Sequence, residues 1–159
     1  MEVNGWKLFQ HVMFKDHYDR LLKRAERIKA QRPKDYKSHK TVKLLAKITD
    51  LIIKEIPLNP GHANYNLGNT LGSDYRHWRR DKFGRYRLFF RYLIRPKPDG
   101  TEEKIIVNVW VNDENTLRKE GNKNDPYNLF AKGLNRGEPP DSIDALLKES
   151  TVLEISDSE

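Results

Sequence analysis

The sequence contains no cysteine, so it can form neither a disulfide nor a thiolate metal site. This is typical of proteins in a reducing compartment. It also has no apolar run near the roughly 20 residues that a membrane span needs. The opening stretch, MEVNGWKLFQ, lacks the basic-then-apolar pattern of a signal peptide. We therefore predict a cytoplasmic protein that makes no membrane contact.

Acidic residues are outnumbered. The 159 residues include 30 Lys and Arg against 23 Asp and Glu, which gives a formal net charge of +7. This balance indicates an anionic partner such as a nucleic acid, an acidic protein or a membrane surface; the alternative is a protein that is merely soluble and basic. The length favours one domain, which we place at residues 1–150. Residues 151–159 are acidic, and we predict a flexible tail there.

Apolar periodicity predicts helices on either side of a group of strands. Helical spacing covers residues 14–31 and 38–55, and a short loop joins the two segments as an antiparallel hairpin. Alternation predicts strands at 75–82, 85–94 and 104–112, with a short edge strand at 4–9. We predict two further helices, at 126–135 and 142–148. The predicted fold class is α+β: a helical hairpin packed on an antiparallel sheet of about three to four strands, followed by C-terminal helices.

The stretch WRRDKFGRYRLFFRY, residues 78–92, carries many cations on predicted strands. Side chains alternate along a strand, and an even-numbered turn puts both of its strands in phase. One face then carries the candidate residues for binding an anionic partner, Arg76, Trp78, Arg85, Phe89, Arg91, Trp110 and Asn112, together with Arg80, Lys82, Arg87 and Asn108. The first seven become candidate RNA-binding residues if that partner is RNA. The other face, which we expect to pack on the hairpin, carries Tyr86, Leu88, Phe90, Tyr92, Ile105, Val107, Val109 and Val111.

The charge on the first face has two interpretations. Residues 76–95 hold eight Lys and Arg against one Asp. Like charges on neighbouring strands destabilise a sheet, which favours a bound polyanion over a merely solvated face. Cations mixed with aromatic rings favour single-stranded nucleic acid. Asn112 could bind a base edge or cap the loop that follows it.

Several longer motifs resemble one known family. GRYRLFFRY, VNDENTLRKEG and DPYNLFAKGLNRGEPP, with NGW near the start and LGS at 71–73, are similar to the YhaV family of bacterial toxins, within the RelE/ParE superfamily. The resemblance covers roughly residues 4–141. It implies a RelE-like fold and a toxin of a toxin–antitoxin module: a metal-independent endoribonuclease that cuts mRNA or other RNA and inhibits translation.

The resemblance also implies a partner. A cognate antitoxin of the PrlF type, with an AbrB-like DNA-binding fold, would neutralise the toxin. The pair would repress its own operon, so that operator DNA is bound only through the complex. The mRNA target could be free or bound to the ribosome.

The resemblance implies roles for particular residues. Arg87 matches the arginine of the superfamily's YR[LI] strand and would clamp the scissile phosphate. Arg80 and Lys82 would contact phosphate, with Lys82 a base only if neighbouring cations lower its pKa. Tyr127 would be a stacking platform or a proton donor; alternatively it packs on the sheet. This sequence reads Asn-Asp-Glu-Asn after the third strand, where RelE toxins have a basic residue, so Arg118 is the candidate substitute. The choice of acid and base stays open.

We predict no metal and no cofactor. The five histidines lack metal-ligand spacing, and the neighbouring carboxylates Asp113 and Glu114 would diverge on an extended strand. Three rival functions remain: a ParE-like gyrase poison, a non-catalytic nucleic-acid-binding module, and a structural protein whose basic face meets an acidic partner.

Overall fold

The structure is a computed structural model that describes residues 1–155. Within this range the chain forms one mixed sheet with helices on both faces. The strands are β1 (Glu2–Val3), β2 (Trp6–His11), β3 (Arg79–Phe83), β4 (Tyr86–Pro96), β5 (Glu102–Val111) and β6 (Ser150–Val152). The α-helices are α1 (Val12–Gln31), α2 (Lys40–Asp50), α3 (Pro126–Arg136) and α4 (Ile143–Lys148). The predicted α+β class is confirmed.

The sheet differs from the predicted one in size and direction. Its strand order is β1-β2-β5-β4-β3, with β6 also paired to β2, so it has six strands rather than about three to four. β2 runs parallel to β5, with Lys7 opposite Ile105, and the other pairs are antiparallel. The segment predicted as an edge strand therefore lies inside the sheet. Local sequence patterns do not reveal a parallel pairing between such distant segments.

The predicted helical hairpin is confirmed. The His11 side chain caps α1 by accepting a hydrogen bond from the amide of Met13 at 3.2 Å, and α1 ends shortly before Pro33. A π-helical turn, Leu51–Glu55, and a 3₁₀ turn, Ile56–Leu58, extend α2. The buried faces of the two helices cover one side of the sheet, in a core that includes Leu8, Phe14, Tyr18, Leu21, Leu45, Ile48, Ile52, Leu88, Phe90 and Ile106. No helix within residues 1–155 is long and apolar enough to cross a membrane.

The sequence predicted that the other face of the sheet is open to solvent. In the structure α3 and α4 pack on this face. A second core there contains Trp78, Phe89, Ile105, Val107, Val109, Phe130, Leu134 and Leu146. Ile105, Val107 and Val109 thus lie under the C-terminal helices and not under the hairpin. The aromatic residues of the predicted open face supply much of this core, since their large apolar area is more stable when removed from water.

A β-bulge explains why strict alternation failed along β5. Phe89 lies opposite Trp110, but the next residue, Phe90, lies opposite Asn108, so Val109 is the extra residue. A bulge changes which face the following side chains occupy. Asn108 consequently shares the hairpin side with Phe90, fully buried, and its side-chain nitrogen and oxygen have no hydrogen-bond partner among residues 1–155.

The C-terminal residues join the sheet. Thr151 and Val152 pair with β2, and the amide of Leu153 donates to the carbonyl of Leu8 at 2.9 Å. The boundary predicted after residue 150 therefore falls inside β6, where backbone pairing and the burial of Leu153 hold the chain. Residues 156–159 of the predicted tail lie outside the described residues.

Candidate active site

The turn between β3 and β4 sets the phase of the basic strands. Lys82 lies opposite Arg87, and Gly84 and Arg85 form the turn. Gly84 has a φ of +56°, a conformation that glycine adopts without strain at a tight hairpin turn. The predicted even-numbered turn is confirmed, and it places Arg80, Lys82 and Arg87 on the same face.

The first turn of α3 brings Tyr127 against these cations. Asp125 caps the helix by accepting a hydrogen bond from the amide of Tyr127 at 3.1 Å, and Pro126 occupies the first helical position. The phenol oxygen of Tyr127 accepts hydrogen bonds from Nε of Arg80 at 2.8 Å and from Nε of Arg87 at 2.9 Å. Two arginines from neighbouring strands therefore converge on one oxygen atom.

The loop after β5 folds back and adds a further arginine. The amide of Arg118 donates to the carbonyl of Arg85 at 2.9 Å, which ties the loop to the β3–β4 turn. The Arg118 guanidinium lies 5.0 Å from the centroid of the Tyr127 ring, and its Nη1 is 2.6 Å from Oδ1 of Asp125. The hydrogen bond to Asp125 raises the pKa of Arg118, so this side chain keeps its charge. We call Arg80, Lys82, Arg87, Arg118 and Tyr127 the basic cluster.

Backbone contacts fix two of these guanidinium groups and leave part of each available. Nη1 of Arg80 donates to the carbonyl of Asn64, and Nη1 of Arg87 donates to the carbonyls of Gly84 and Tyr86. Nη2 of either arginine has no hydrogen-bond partner among the described residues. Lys82 is exposed beside them. The fixed guanidinium groups and the neighbouring lysine form a preorganised arrangement that can bind an anion such as a phosphate.

Asn112 is the cap of the loop, and this corrects its assignment to RNA binding. Its Oδ1 accepts from the amide of Arg87 at 2.7 Å, while its Nδ2 donates to the carbonyls of Thr116 and Arg85 at 2.7 and 3.2 Å. The side chain is 1% exposed. Its amide is therefore used to hold the backbone of the site, and it is not accessible to a base edge.

The structure also separates the aromatic residues from the predicted surface. Trp78 and Phe89 have no exposed area, so neither offers a ring face on which a base could stack. Trp110 is half-buried and stacks on Phe89 and Phe130. The reason is that α3 covers this half of the sheet.

The remaining predicted RNA-binding cations lie in three different settings. Arg76 is exposed but precedes β3, and Arg85 is exposed in the turn, where its Nε donates to the carbonyl of Arg118. Arg91 is half-buried: its guanidinium lies over Trp78 and hydrogen-bonds the carbonyl of Asp141, and burial lowers its pKa. The basic surface is therefore smaller than predicted and is centred on the basic cluster.

Asp125, which positions the basic cluster, and Asp141, which holds Trp78, were not among the predicted site residues. Asp125 had a readable signal, because Asn-Asp-Pro is a common start of a helix. No sequence pattern indicated the contacts of Asp141. Its Oδ1 accepts a hydrogen bond from Nε1 of Trp78 at 2.7 Å and lies 2.6 Å from Nε2 of His77. Across residues 1–155 no three His, Asp or Glu side chains gather as a metal-ligand set.

Three arginines and a lysine thus gather around a phenol beside the β3–β4 hairpin, an arrangement of charges that suits an anionic group such as a phosphate. Residues 8–151 match a protein family described as a toxin with endonuclease activity, of a toxin–antitoxin system. The chain therefore belongs to the YhaV family of toxin endonucleases, and the predicted family and enzyme class are confirmed.

The sequences of known relatives match this chain along nearly its whole length. The sequence is 42% identical over 151 residues to the ribonuclease toxin YhaV of Escherichia coli K12, covering 93% of this chain and 94% of that protein. The toxins YhaV of Escherichia coli O157:H7 and O6:H1 match equally well. No solved structure gives a significant match, so the RelE-like arrangement stays a prediction.

Proposed function

We propose that the protein is a metal-independent endoribonuclease in which the 2′-hydroxyl of the RNA attacks the neighbouring phosphate. The observation that carries this proposal is the phenol oxygen of Tyr127, which accepts hydrogen bonds from Arg80 and Arg87. A ribonuclease that uses the substrate's own nucleophile needs an acceptor for the proton of the 2′-hydroxyl, cations around the phosphate and a proton donor for the leaving oxygen. The ribonuclease name of the Escherichia coli relative supports RNA as the substrate.

The scissile phosphate binds to the free edges of the two arginines. Their Nε atoms donate to Tyr127 and their Nη1 atoms donate to backbone carbonyls. Their Nη2 groups are therefore the donors that reach the non-bridging oxygens of the phosphate. Lys82, exposed opposite Arg87, supplies a further positive charge. These fixed donors stabilise the charge that develops on the phosphorus centre in the transition state.

Tyr127 donates the proton to the leaving 5′-oxygen. Both acceptor positions of a neutral phenol oxygen are occupied by the two Nε–H groups, so its own O–H is directed to a third partner. The neighbouring positive charges stabilise the negative charge that grows on the oxygen as the proton leaves. The attacking 2′-hydroxyl loses its proton to solvent water, and the Tyr127 phenolate takes a proton back from water after the cut. The products of this reaction are a 2′,3′-cyclic phosphate and a 5′-hydroxyl.

We assign Lys82 to phosphate contact and not to proton transfer. Lys82→Arg separates the two roles, because arginine keeps the charge but does not release a proton near neutral pH. A phosphate contact leaves the activity of this variant within about ten-fold of wild type. A base would lose about 10²- to 10⁴-fold.

We further propose that the toxin inhibits translation by cutting mRNA in the cytoplasm. A PrlF-type antitoxin with an AbrB-like fold neutralises it by covering the basic cluster with an acidic segment, and the complex represses the operon at its operator DNA. Support comes from the toxin–antitoxin family and from the net charge of +7. Hydrogen-exchange measurements on the complex test the contact, and a complex that leaves Arg80, Arg85 and Arg87 exposed contradicts it.

The decisive experiment is cleavage of a labelled single-stranded RNA in excess EDTA, with and without ribosomes. Wild type is compared with Arg87→Ala and with the control Arg95→Ala. Arg95 lies on the same strand, but its guanidinium pairs with Glu103 at 2.7 Å, away from the basic cluster. We expect wild type and Arg95→Ala to leave 2′,3′-cyclic phosphate ends, and Arg87→Ala to cut about 10²- to 10³-fold more slowly.

Two results would overturn the proposal. Cleavage that EDTA abolishes would show that the reaction needs a metal. Wild type that binds RNA but cuts none under any condition would favour the non-catalytic RNA-binding module. A gyrase supercoiling assay would then test the ParE-like alternative.

A further inference from the structure

A cleft shares Arg118 and Tyr127 with the basic cluster, and its other lining residues take no part in the mechanism above. It has a volume of about 740 Å³ and lies between the loop near Gly72 and the start of α3. Its lining includes Thr70, Gly72, Arg118, Asn122, Tyr127 and Asn128. The volume is within the range of small-molecule sites, roughly 300–1,000 Å³. Since Arg118 and Tyr127 belong to both, a nucleotide whose phosphate contacts the basic cluster can place its base in this cleft.

Two asparagine amides in the lining are held in defined orientations. Nδ2 of Asn128 donates to the carbonyl of Lys123 at 2.7 Å, which leaves its Oδ1 as an acceptor. Oδ1 of Asn122 accepts from the amide of Asn124 at 2.8 Å, which leaves its Nδ2 as a donor. The lining of the cleft therefore contains an amide oxygen and an amide nitrogen that no residue of the described range 1–155 uses, and such groups read base edges.

Arg118 supplies a flat surface in the same cleft. Its guanidinium is fixed by Asp125 at 2.6 Å and by the Tyr127 ring at 5.0 Å, yet the side chain remains 29% exposed. Guanidinium planes stack on unpaired bases of single-stranded RNA. A fixed guanidinium loses little conformational entropy when a base stacks on it.

From these observations we propose that the cleft binds the base of a nucleotide next to the scissile phosphate. The base stacks on Arg118, and Asn122 and Asn128 hydrogen-bond its edge. The cleft thereby gives the enzyme a base preference at one position of its substrate. The inference rests on the proposed ribonuclease function and deepens it.

Cleavage of an RNA with randomised sequence, read by sequencing the ends, tests the proposal. Wild type is compared with Asn128→Ala, Asn122→Ala and the control Asn124→Ala, which changes an amide in the same loop outside the lining of the cleft. We expect a preference at one position beside the cut. The cleft variants should reduce it by about ten-fold and the control should not, because a base-edge contact sets that much discrimination. Equal preferences in all four proteins would overturn the proposal.

A binding measurement separates this inference from the nuclease mechanism. Oligonucleotides with a 2′-deoxy residue at the cut lack the nucleophile, so their affinity reports recognition alone. Wild type should discriminate among the four bases at the preferred position, and Asn128→Ala should not. If wild type discriminates but never cuts RNA, the nuclease mechanism fails while the base site stands. If it cuts RNA but binds all four bases equally, the base site fails.

Discussion

Arg118 and Asp125 form a salt bridge in which Nη1 and Oδ1 are 2.6 Å apart. The Asp125 side chain is 5% exposed, and its carboxylate also accepts hydrogen bonds from the amides of Lys119 and Tyr127. A single side chain thus starts helix α3, closes the preceding loop and holds a guanidinium over the Tyr127 ring. The stability of this region and the geometry of the basic cluster therefore depend on the same residue.

Replacing Asp125 should affect both properties. Asp125→Ala removes the helix cap and leaves Arg118 without its anion, so we expect the free energy of unfolding to fall by about 1–3 kcal/mol. Asp125→Asn keeps an acceptor for the cap and should lose less, while both variants should cut RNA more slowly because Arg118 is released. Denaturant unfolding and RNA cleavage measure the two effects. Wild-type stability in Asp125→Ala would contradict this account.

Tyr127→Phe should remove catalysis without removing the fold. The variant keeps the ring that packs against Phe89 and Arg118 but lacks the oxygen that Arg80 and Arg87 contact. We expect kcat to fall about 10²- to 10⁴-fold, with KM nearly unchanged.

The matched control for this change is Tyr75→Phe. The Tyr75 hydroxyl donates to Asn135 at 2.7 Å, outside the basic cluster, so its loss should leave kcat unchanged. Single-turnover cleavage measures both variants. A Tyr127→Phe enzyme as fast as the control would exclude the phenol as the proton donor.

Phe89 should matter for stability and not for RNA affinity. It is fully buried and stacks on Phe130, with the two ring centroids 4.2 Å apart. Phe89→Leu should therefore lower the free energy of unfolding by about 1–3 kcal/mol. Lys82→Ala should do the reverse, because this exposed side chain contacts phosphate and packs in neither core. Thermal unfolding and fluorescence anisotropy distinguish the two. A folded Phe89→Leu protein with much weaker RNA binding would restore the stacking role predicted from the sequence.

Stability should fall in mild acid through His17 on α1. Burial lowers its pKa below the ordinary value of 6.5, an effect that Arg20 reinforces and Asp113 opposes. The unfolded chain therefore takes up a proton near pH 6.5 that the folded chain resists. The contribution of His17 is present above that pH and is lost as the pH falls below it. Denaturant unfolding from about pH 7.5 to about pH 5.5 should show a smaller loss for His17→Gln than for wild type.

Wild type provides the reference for this pH dependence. Identical curves for wild type and His17→Gln would show that the burial of His17 does not affect folding.

The sequence predicted the elements that local patterns determine. The helical hairpin follows from the spacing of residues such as Phe14 and Leu45, and the phase of Lys82 and Arg87 follows from an even-numbered turn. The parallel pairing of Lys7 with Ile105 and the bulge at Val109 were missed. Both depend on contacts between distant segments or on an inserted residue, and alternation along one strand contains neither.

The site was predicted in part for the same reason. The family resemblance named four residues that lie together in the structure. Arg80 and Arg87 donate to the phenol oxygen of Tyr127, and Arg118 lies over its ring. Trp78 and Phe89 were correctly assigned to the sheet face that carries these residues, but α3 covers that face at their positions. Whether a basic sheet is open to solvent depends on where α3 docks, and the periodicity of α3 alone does not specify its docking position.

The position of β2 has a consequence for the synthesis of the protein. This strand is made before β5 and β6, yet it pairs with both, and β6 ends at residue 152. Pairing between segments so far apart in sequence is slow to form and cannot begin before both exist. The completed sheet therefore forms only after the chain has left the ribosome at least as far as residue 152. A chain interrupted before that point carries the residues of a nuclease without assembling the fold that makes one.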